Sequence, residues 1–242
     1  MLLAIDVGNT DTKAGVWDGK HWVRFFRTPT QKGKQAPKFI DLLGNFHLER
    51  AICASVVPAA NRELSSALKR AAALDLTFLS ADAVNFNIDY KTPETLGADR
   101  LANALAVSAL SPHAIAVDVG TATKLEAVLG GTYLGGAILP GLEMVASALG
   151  KETAQLPVVE LSAPKKAIGV DTSSAIRSGV MHGHASAIDG MIARFAREMA
   201  AKPDVFITGG HAELIKPLCL TSMTFISHLT LDGLVEGAKR LR

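Results

Sequence analysis

The chain has 242 residues, 48% of them hydrophobic and 20% charged, with a formal net charge of +2. That composition supports a sizeable core, and the near-neutral balance argues against nucleic acid as a main partner. No stretch approaches the ~20 apolar residues of a bilayer span, and the Met1–Ile5 run lacks a basic flank, so a cytoplasmic protein with no membrane partner is expected.

In chain order, Leu2–Ile5 reads as a short strand ending at Asp6. Thr12–Trp17 and His21–Arg27 are β-prone runs around Asp18-Gly19, a hairpin signal. Lys32, Lys34 and Lys38 mark a solvated loop. Ala36–Leu43 is expected to be helical, Ala51–Val57 a buried strand stopped by Pro58, Arg62–Leu74 a helix and Thr77–Leu79 a strand. The order βββαβαβ predicts a mixed sheet flanked by helices. A polar stretch from Asp82 to Pro93 leads into a helix expected over Glu94–Leu110. The pattern then restarts with a strand at Ala114–Val117, Asp118, a glycine turn, and strands at Ala122–Leu129 and Thr132–Leu139. Pro140-Gly141 punctuates the chain. A long helix is expected over Thr172–Ala200, with Ile188, Met191, Ile192, Phe195 and Met199 at helical spacing. Asp204–Thr208 reads as a strand, His211–Leu218 as a short helix and Leu231–Leu241 as a terminal helix.

Cys53 and Cys219 have neither a CxxC neighbour nor a histidine at metal-ligand spacing, so a structural zinc site is not expected, and a disulfide between them is the less expected of their two states. The histidines are scattered. Even His182 and His184 lie two apart, off a shared helix face, and all seven read as non-catalytic.

The restart is the informative feature. Ala4-Ile5-Asp6-Val7-Gly8-Asn9-Thr10 and Ala116-Val117-Asp118-Val119-Gly120-Thr121-Ala122 share one pattern: apolar strand, Asp, Val, Gly, then small hydroxyl or amide residues. Each is followed by two β-prone runs. Two copies mean a duplicated lobe rather than a solenoid, divided here as residues 1–112 and 113–242.

A phosphate needs close backbone approach and inward N–H groups, which a glycine turn after a strand supplies. Asp6 and Asp118 at strand ends would repel phosphate, so a cation is implied between them. Thr10, Thr12, Thr121 and Thr123 offer hydroxyls, and Lys13 could reach a terminal phosphate as a point charge. Thr208-Gly209-Gly210, after another strand, suits a nucleoside against bare backbone. Each turn alone also fits a plain hairpin whose Asp caps local N–H groups. There is no Walker A sequence and no GxGxxG after a strand, against P-loop and Rossmann readings.

These residues resemble the acetate kinase, sugar kinase, Hsp70 and actin superfamily, whose two ribonuclease-H-like (actin-like) lobes clamp ATP. Within it the chain is similar to type III pantothenate kinases. The similarity runs through Asp6–Thr10 with Lys13, Tyr90 ahead of Leu96-Gly97-Ala98-Asp99-Arg100, the Asp118 turn, Gly135–Gly141, Ile168–Thr172, Thr208-Gly209-Gly210 and His228–Leu234. The resemblance implies an α/β fold of two such lobes with mixed sheets, and ATP-dependent phosphorylation of pantothenate, the first step towards coenzyme A. It puts Asp99 on the general base and Tyr90, Gly97, Arg100 and Thr172 on pantothenate-binding positions, in a homodimer with Thr172 at the interface. Asp6, Gly8, Asn9, Thr10, Lys13, Thr121 and Gly209 fall on nucleotide-binding positions. Asp6 would organise Mg²⁺ with ATP, and Asp118 would hold a monovalent cation, potassium or ammonium. Read without the resemblance, Asp99-Arg100 is a surface ion pair and Tyr90 a packing aromatic.

The second turn departs from the family pattern. Gly-Thr-Ala-x-Thr-x-Asp becomes Gly120-Thr121-Ala122-Thr123-Lys124-Leu125-Glu126. On a strand, Lys124 and Glu126 share a face. They would pair with each other, or Lys124 would meet phosphate or replace the cation. A catalytically silent, transcription-accessory relative and another small-molecule kinase of the superfamily are the competing functions.

Overall fold

A computed structural model describes residues 1–31, 37–152 and 156–242. Two compact units result: Met1–Ala109 with His228–Arg242, and Leu110–Ser227.

In the first unit, β1 (Leu2–Val7), β2 (Asp11–Trp17) and β3 (Trp22–Pro29) form an antiparallel meander. β4 (Arg50–Ser55) and β5 (Leu76–Phe78) add in parallel, giving the order β3-β2-β1-β4-β5. The β2–β3 hairpin turns at Asp18-Gly19 as the sequence suggests. Gly19 takes a φ of 109°, and Asp18 Oδ1 accepts the amides of Lys20 and His21, both at 2.7 Å. Those bonds hold the Asp18 carboxyl below its ordinary range.

The helix expected over Ala36–Leu43 is a 3₁₀ segment, Lys38–Asn45; Ala36, Lys32 and Lys34 lie outside the described residues. α1 (Pro58–Ala72) begins on the proline read as a strand stop, because proline suits the first helical turn, where its missing N–H has no partner to lose. β6 (Asn87–Ile88) is a two-residue strand. α2 (Ala98–Leu110) starts four residues later than expected. Pro93–Thr95 form a separate 3₁₀ turn and Leu96 is extended, which breaks the helix there.

The second unit repeats the plan. β7 (His113–Val119), β8 (Ala122–Leu129) and β9 (Thr132–Pro140) are an antiparallel meander. β10 (Asp204–Thr208) pairs in parallel with β7, and β11 (Thr224–Phe225) with β10. The order β11-β10-β7-β8-β9 mirrors that of the first unit strand for strand. The fold is thus two ribonuclease-H-like lobes of mixed sheet and helix.

α3 (Leu142–Glu152) was hidden in the sequence behind Pro140-Gly141. Gly141 is no mere punctuation, since its carbonyl accepts the Val145 amide at the helix start. α4 (Thr172–Glu198) is opened by a reciprocal capping box between Asp171 and Ser174. α5 (Ala212–Ile215) and a 3₁₀ turn (Lys216–Leu218) stand where one short helix was expected.

α6 (Leu229–Lys239), expected with the second lobe, belongs to the first unit. It packs on β1, β2 and β4. At Gly233 its backbone meets that of α2 so closely that a Cβ would collide with the Ala102 carbonyl. Trp22 Nε1 also donates to Asp232 Oδ1 at 2.8 Å.

Each unit has its own core. Leu3, Ile5, Val7, Cys53, Leu64 and Leu68 pack together in the first. Ile115, Val117, Leu142, Met181, Ile188 and Ile207 do so in the second.

Candidate active site

Asp6 sits half-buried near the end of β1, and the β1–β2 register sets Asp6 opposite Lys13 and Val7 opposite Thr12. Directly opposed residues of an antiparallel pair share a face of the sheet, so the carboxylate and the ammonium leave the same side of the hairpin. The loop between them is tied internally. Gly8 N–H donates to Asp11 O at 3.0 Å, and Thr30 Oγ1 donates to Gly8 O at 2.7 Å. Buried Thr12 meets Thr30 at 3.0 Å through their hydroxyls. Arg27 grips Asp11 with Nε at 3.1 Å and Nη2 at 2.5 Å. A Cβ on Gly8 would lie 3.0 Å from Asp11 O, so the turn is tight enough to leave glycine there. Asn9 and Thr10 are its exposed tip.

The second turn has the same hairpin with a loop one residue shorter: Asp118 pairs with Lys124, and Val119 with Thr123. Structure therefore aligns Thr12 with Thr123 and Lys13 with Lys124. Lys124 Nζ lies 2.8 Å from Asp118 Oδ2, with side chains only 16% and 14% exposed. Lys124 thus forms an ion pair with the aspartate of its own hairpin. Glu126 is fully buried and accepts the Tyr133 hydroxyl at 2.7 Å.

Backbone crowds the turn from two sides. A Cβ at Gly141 would strike the Thr121 carbonyl and come within 2.6 Å of Gly120 O. Gly209, at φ 103°, presses on Val119, 2.5 Å from where its Cβ would stand, so no other residue fits. His211 N–H closes onto Val119 O at 3.1 Å. The Thr208-Gly209-Gly210 turn thus reaches the Asp118 turn within one unit, Thr208 facing Asp118 across β10 and β7. Thr121 is exposed at its tip. Below it, Thr123 Oγ1 and His184 Nε2 are 2.8 Å apart and buried. Burial, reinforced by His211, holds the His184 imidazole below its ordinary range.

Asp99 lies in the first turn of α2, where the positive end of the helix dipole favours a carboxylate. Its Oδ1 accepts the Arg100 amide at 2.8 Å and comes within 2.9 Å of the place a Cβ would take on Gly97. A side chain at position 97 would therefore have to displace the Asp99 carboxylate from this position. Arg100 is buried, with its guanidinium carbon 6.0 Å from the Tyr90 ring centroid. The structure thus joins Tyr90, Gly97, Asp99 and Arg100 into one cluster, and neither a surface ion pair nor a lone packing aromatic describes it.

Thr172 is the exposed first residue of α4. Beside it Ile168 and Val170 are 83% and 92% exposed. Both cysteines are free thiols. Burial raises each of them, Cys219 to about 12, so neither is a ready nucleophile. Among the described residues no cluster of His, Cys, Asp and Glu forms a metal cage.

A family model described as type III pantothenate kinase matches residues 2–194. Proteins named type III pantothenate kinase from Thermus thermophilus and Frankia alni are each 38% identical to this chain. The match covers 98% of both chains in the first case and 97% of both in the second. The chain belongs to the type III pantothenate kinase family. Solved structures of low identity share its fold. A Campylobacter jejuni protein assigned to the Baf family of transcriptional activators is 19% identical, with a TM-score of 0.60 over 98% of this chain and 97% of that one. A ROK family glucokinase from Streptomyces griseus is 11% identical, with a TM-score of 0.56 over 98% of each.

For a type III pantothenate kinase the resemblance places a monovalent cation at Asp118. The residues present do not fit one. The carboxylate already holds an ammonium at 2.8 Å in a largely buried position. Two like charges about 4 Å apart repel by roughly 4 kcal/mol at an effective dielectric of about 20. Asp6 does fit a magnesium ion that travels with phosphates, since a half-buried carboxylate at a strand end is a hard oxygen donor. Its charge is felt by the neighbouring Cys53 thiol, which it helps to push up.

Proposed function

We propose that this chain transfers the γ-phosphoryl group of ATP to the primary hydroxyl of pantothenate, the step that opens coenzyme A synthesis. The observation that carries this reading is a family match over nearly the full length of both chains. The Asp99 cluster supplies groups suited to the chemistry. Asp99 accepts the hydroxyl proton while that oxygen bonds to the γ-phosphorus; the bond from γ-phosphorus to the β,γ-bridging oxygen breaks and ADP leaves. In a loose transition state proton removal helps modestly, and positioning and charge neutralisation dominate. Arg100, buried with its guanidinium carbon 6.0 Å from the Tyr90 ring centroid, offers a cation for the pantothenate carboxylate. Gly8, Asn9 and Thr10 present the first turn to the phosphates, with Lys13 opposite Asp6 as a terminal-phosphate contact. Thr121 and Gly209 are the nucleotide contacts of the second turn. Mg²⁺, when bound with ATP, neutralises phosphate charge, and Asp6 is the residue that would hold it. Potassium or ammonium is not part of the proposed function, because Lys124 occupies Asp118.

The same reading makes the protein a cytoplasmic homodimer. Among the described residues no helix is long and apolar enough to cross a membrane. The exposed Ile168 and Val170 beside Thr172 supply apolar surface that a second copy would cover.

Coupled ADP release with pantothenate and ATP tests the reading, and no pantothenate-dependent turnover would refute it. Asp99→Asn should lower kcat by about 10²-fold or more while leaving ATP affinity and melting temperature nearly unchanged. A fully active variant would remove Asp99 from its role.

A further inference from the structure

The Asp118 turn carries its own cation. Lys124 reaches Asp118 from the facing strand of the same hairpin, at 2.8 Å and with both side chains mostly out of water. The strand beneath it is pinned on either side. Thr123 bonds His184 in the interior, Leu125 is fully buried, and Glu126 is fixed by Tyr133. The Lys124 stem therefore starts from a fixed backbone, and its ammonium is delivered to one place rather than sampled over the surface. Asp118 is held too, since β10 pairs with β7 along its other edge and Gly209 packs on the adjoining Val119.

We infer that the Lys124 ammonium is a tethered substitute for a free monovalent cation at the second turn, so that ATP binding and phosphoryl transfer need neither potassium nor ammonium. The inference rests on the kinase reading for its relevance to turnover, but its ATP-binding half stands without any acceptor substrate. A lysine ammonium is a compact single charge with three donors. Tethering it raises its effective concentration at the carboxylate far above that of an ion drawn from solution. Its contact with Asp118 holds the charge at the turn that carries Thr121 and Gly209, the nucleotide contacts of the proposed function.

The test uses the full-length protein in choline buffer, free of potassium and ammonium, at constant ionic strength. ATP·Mg²⁺ affinity is read by calorimetry, and pantothenate-dependent ADP release is read alongside, as potassium chloride replaces choline chloride up to about 100 mM, a range that keeps screening fixed. For the wild type both readouts should stay within about twofold across the series. Lys124→Ala, which empties the space, should weaken ATP binding about tenfold or more in choline and recover on adding potassium. Lys124→Met, which fills the space without charge, should weaken binding and not recover. Stimulation of wild-type ATP binding by about tenfold on adding potassium would overturn the inference, as would Lys124→Ala binding ATP normally in choline. If neither variant folds, the wild-type series decides alone. A protein that binds ATP without potassium but never turns over pantothenate would leave this inference standing and sink the kinase reading instead.

Discussion

The two Asp-Val-Gly hairpins are built to one register and held by different forces. In the first, the loop is secured by its own polar groups: Thr12 and Thr30 share a hydroxyl contact, Thr30 caps Gly8 O, and Arg27 clamps Asp11 at the rim. In the second, neighbouring backbone does that work, with Gly141 under Thr121 and Gly209 against Val119. The lysine opposite the aspartate is common to both registers. In the second hairpin it closes onto the carboxylate at 2.8 Å. A duplicated hairpin can thus keep its register while the means of holding its loop diverge, with a largely buried lysine–aspartate pair in the second copy.

Exchanging the charge on each aspartate is the strongest way to break that comparison. Asp6→Asn should lower kcat by about 10²-fold or more, as expected when a group that neutralises transition-state charge is lost. Asp118→Asn should show chiefly in stability. It leaves the largely buried Lys124 ammonium without its carboxylate, which should cost roughly 1–3 kcal/mol of stability by denaturant melting. An Asp118→Asn variant as stable as the wild type would show that the Lys124 ammonium does not depend on its carboxylate.

Much of this was legible in the sequence. Strand-Asp-Val-Gly twice, each with two further strands, gave the duplicated sheet, and strand boundaries followed from apolar runs because both units bury them. What the sequence hid is three-dimensional. Gly141 and Gly209 look like turn residues, yet each is glycine because backbone of another segment crowds the place its Cβ would take. Lys124 resembled a substitution at a family threonine. Only the strand register, with one loop residue fewer, shows it to be the counterpart of Lys13. α6 looked like the end of the second lobe because chain order was the only guide, and it packs on the first.

A smaller effect separates the hairpins by pH. Below the second turn, burial holds His184 below the ordinary histidine value of about 6.5. Well above pH 7 the imidazole is neutral in both folded and unfolded chains and contributes no slope. As pH falls, the unfolded chain takes up the proton first, so stability declines until pH passes the lowered folded value. His228 in the first unit is depressed by burial as well, and Asp232 is raised by it. The difference between wild type and His184→Asn therefore isolates the second unit. That difference should shrink in favour of the variant between about pH 7 and pH 5. A pH-independent difference would show that His184 does not titrate against burial.

The smallest expected effect is at the rim of the first turn. Arg27 and Asp11 form a two-pronged pair, but the Arg27 side chain is 66% exposed. Water and salt compete for both partners there, and such pairs contribute about 1 kcal/mol or less. Arg27→Ala should lower the melting free energy by no more than that, and the loss should fade as salt is raised past the range where the screening length drops below about 10 Å. The Lys124–Asp118 pair, by contrast, is shielded by its surroundings, and the loss caused by Asp118→Asn should persist in the same salt. If both losses vanish together, burial does not distinguish the two pairs, and the second hairpin loses its claim to a cation held apart from solvent.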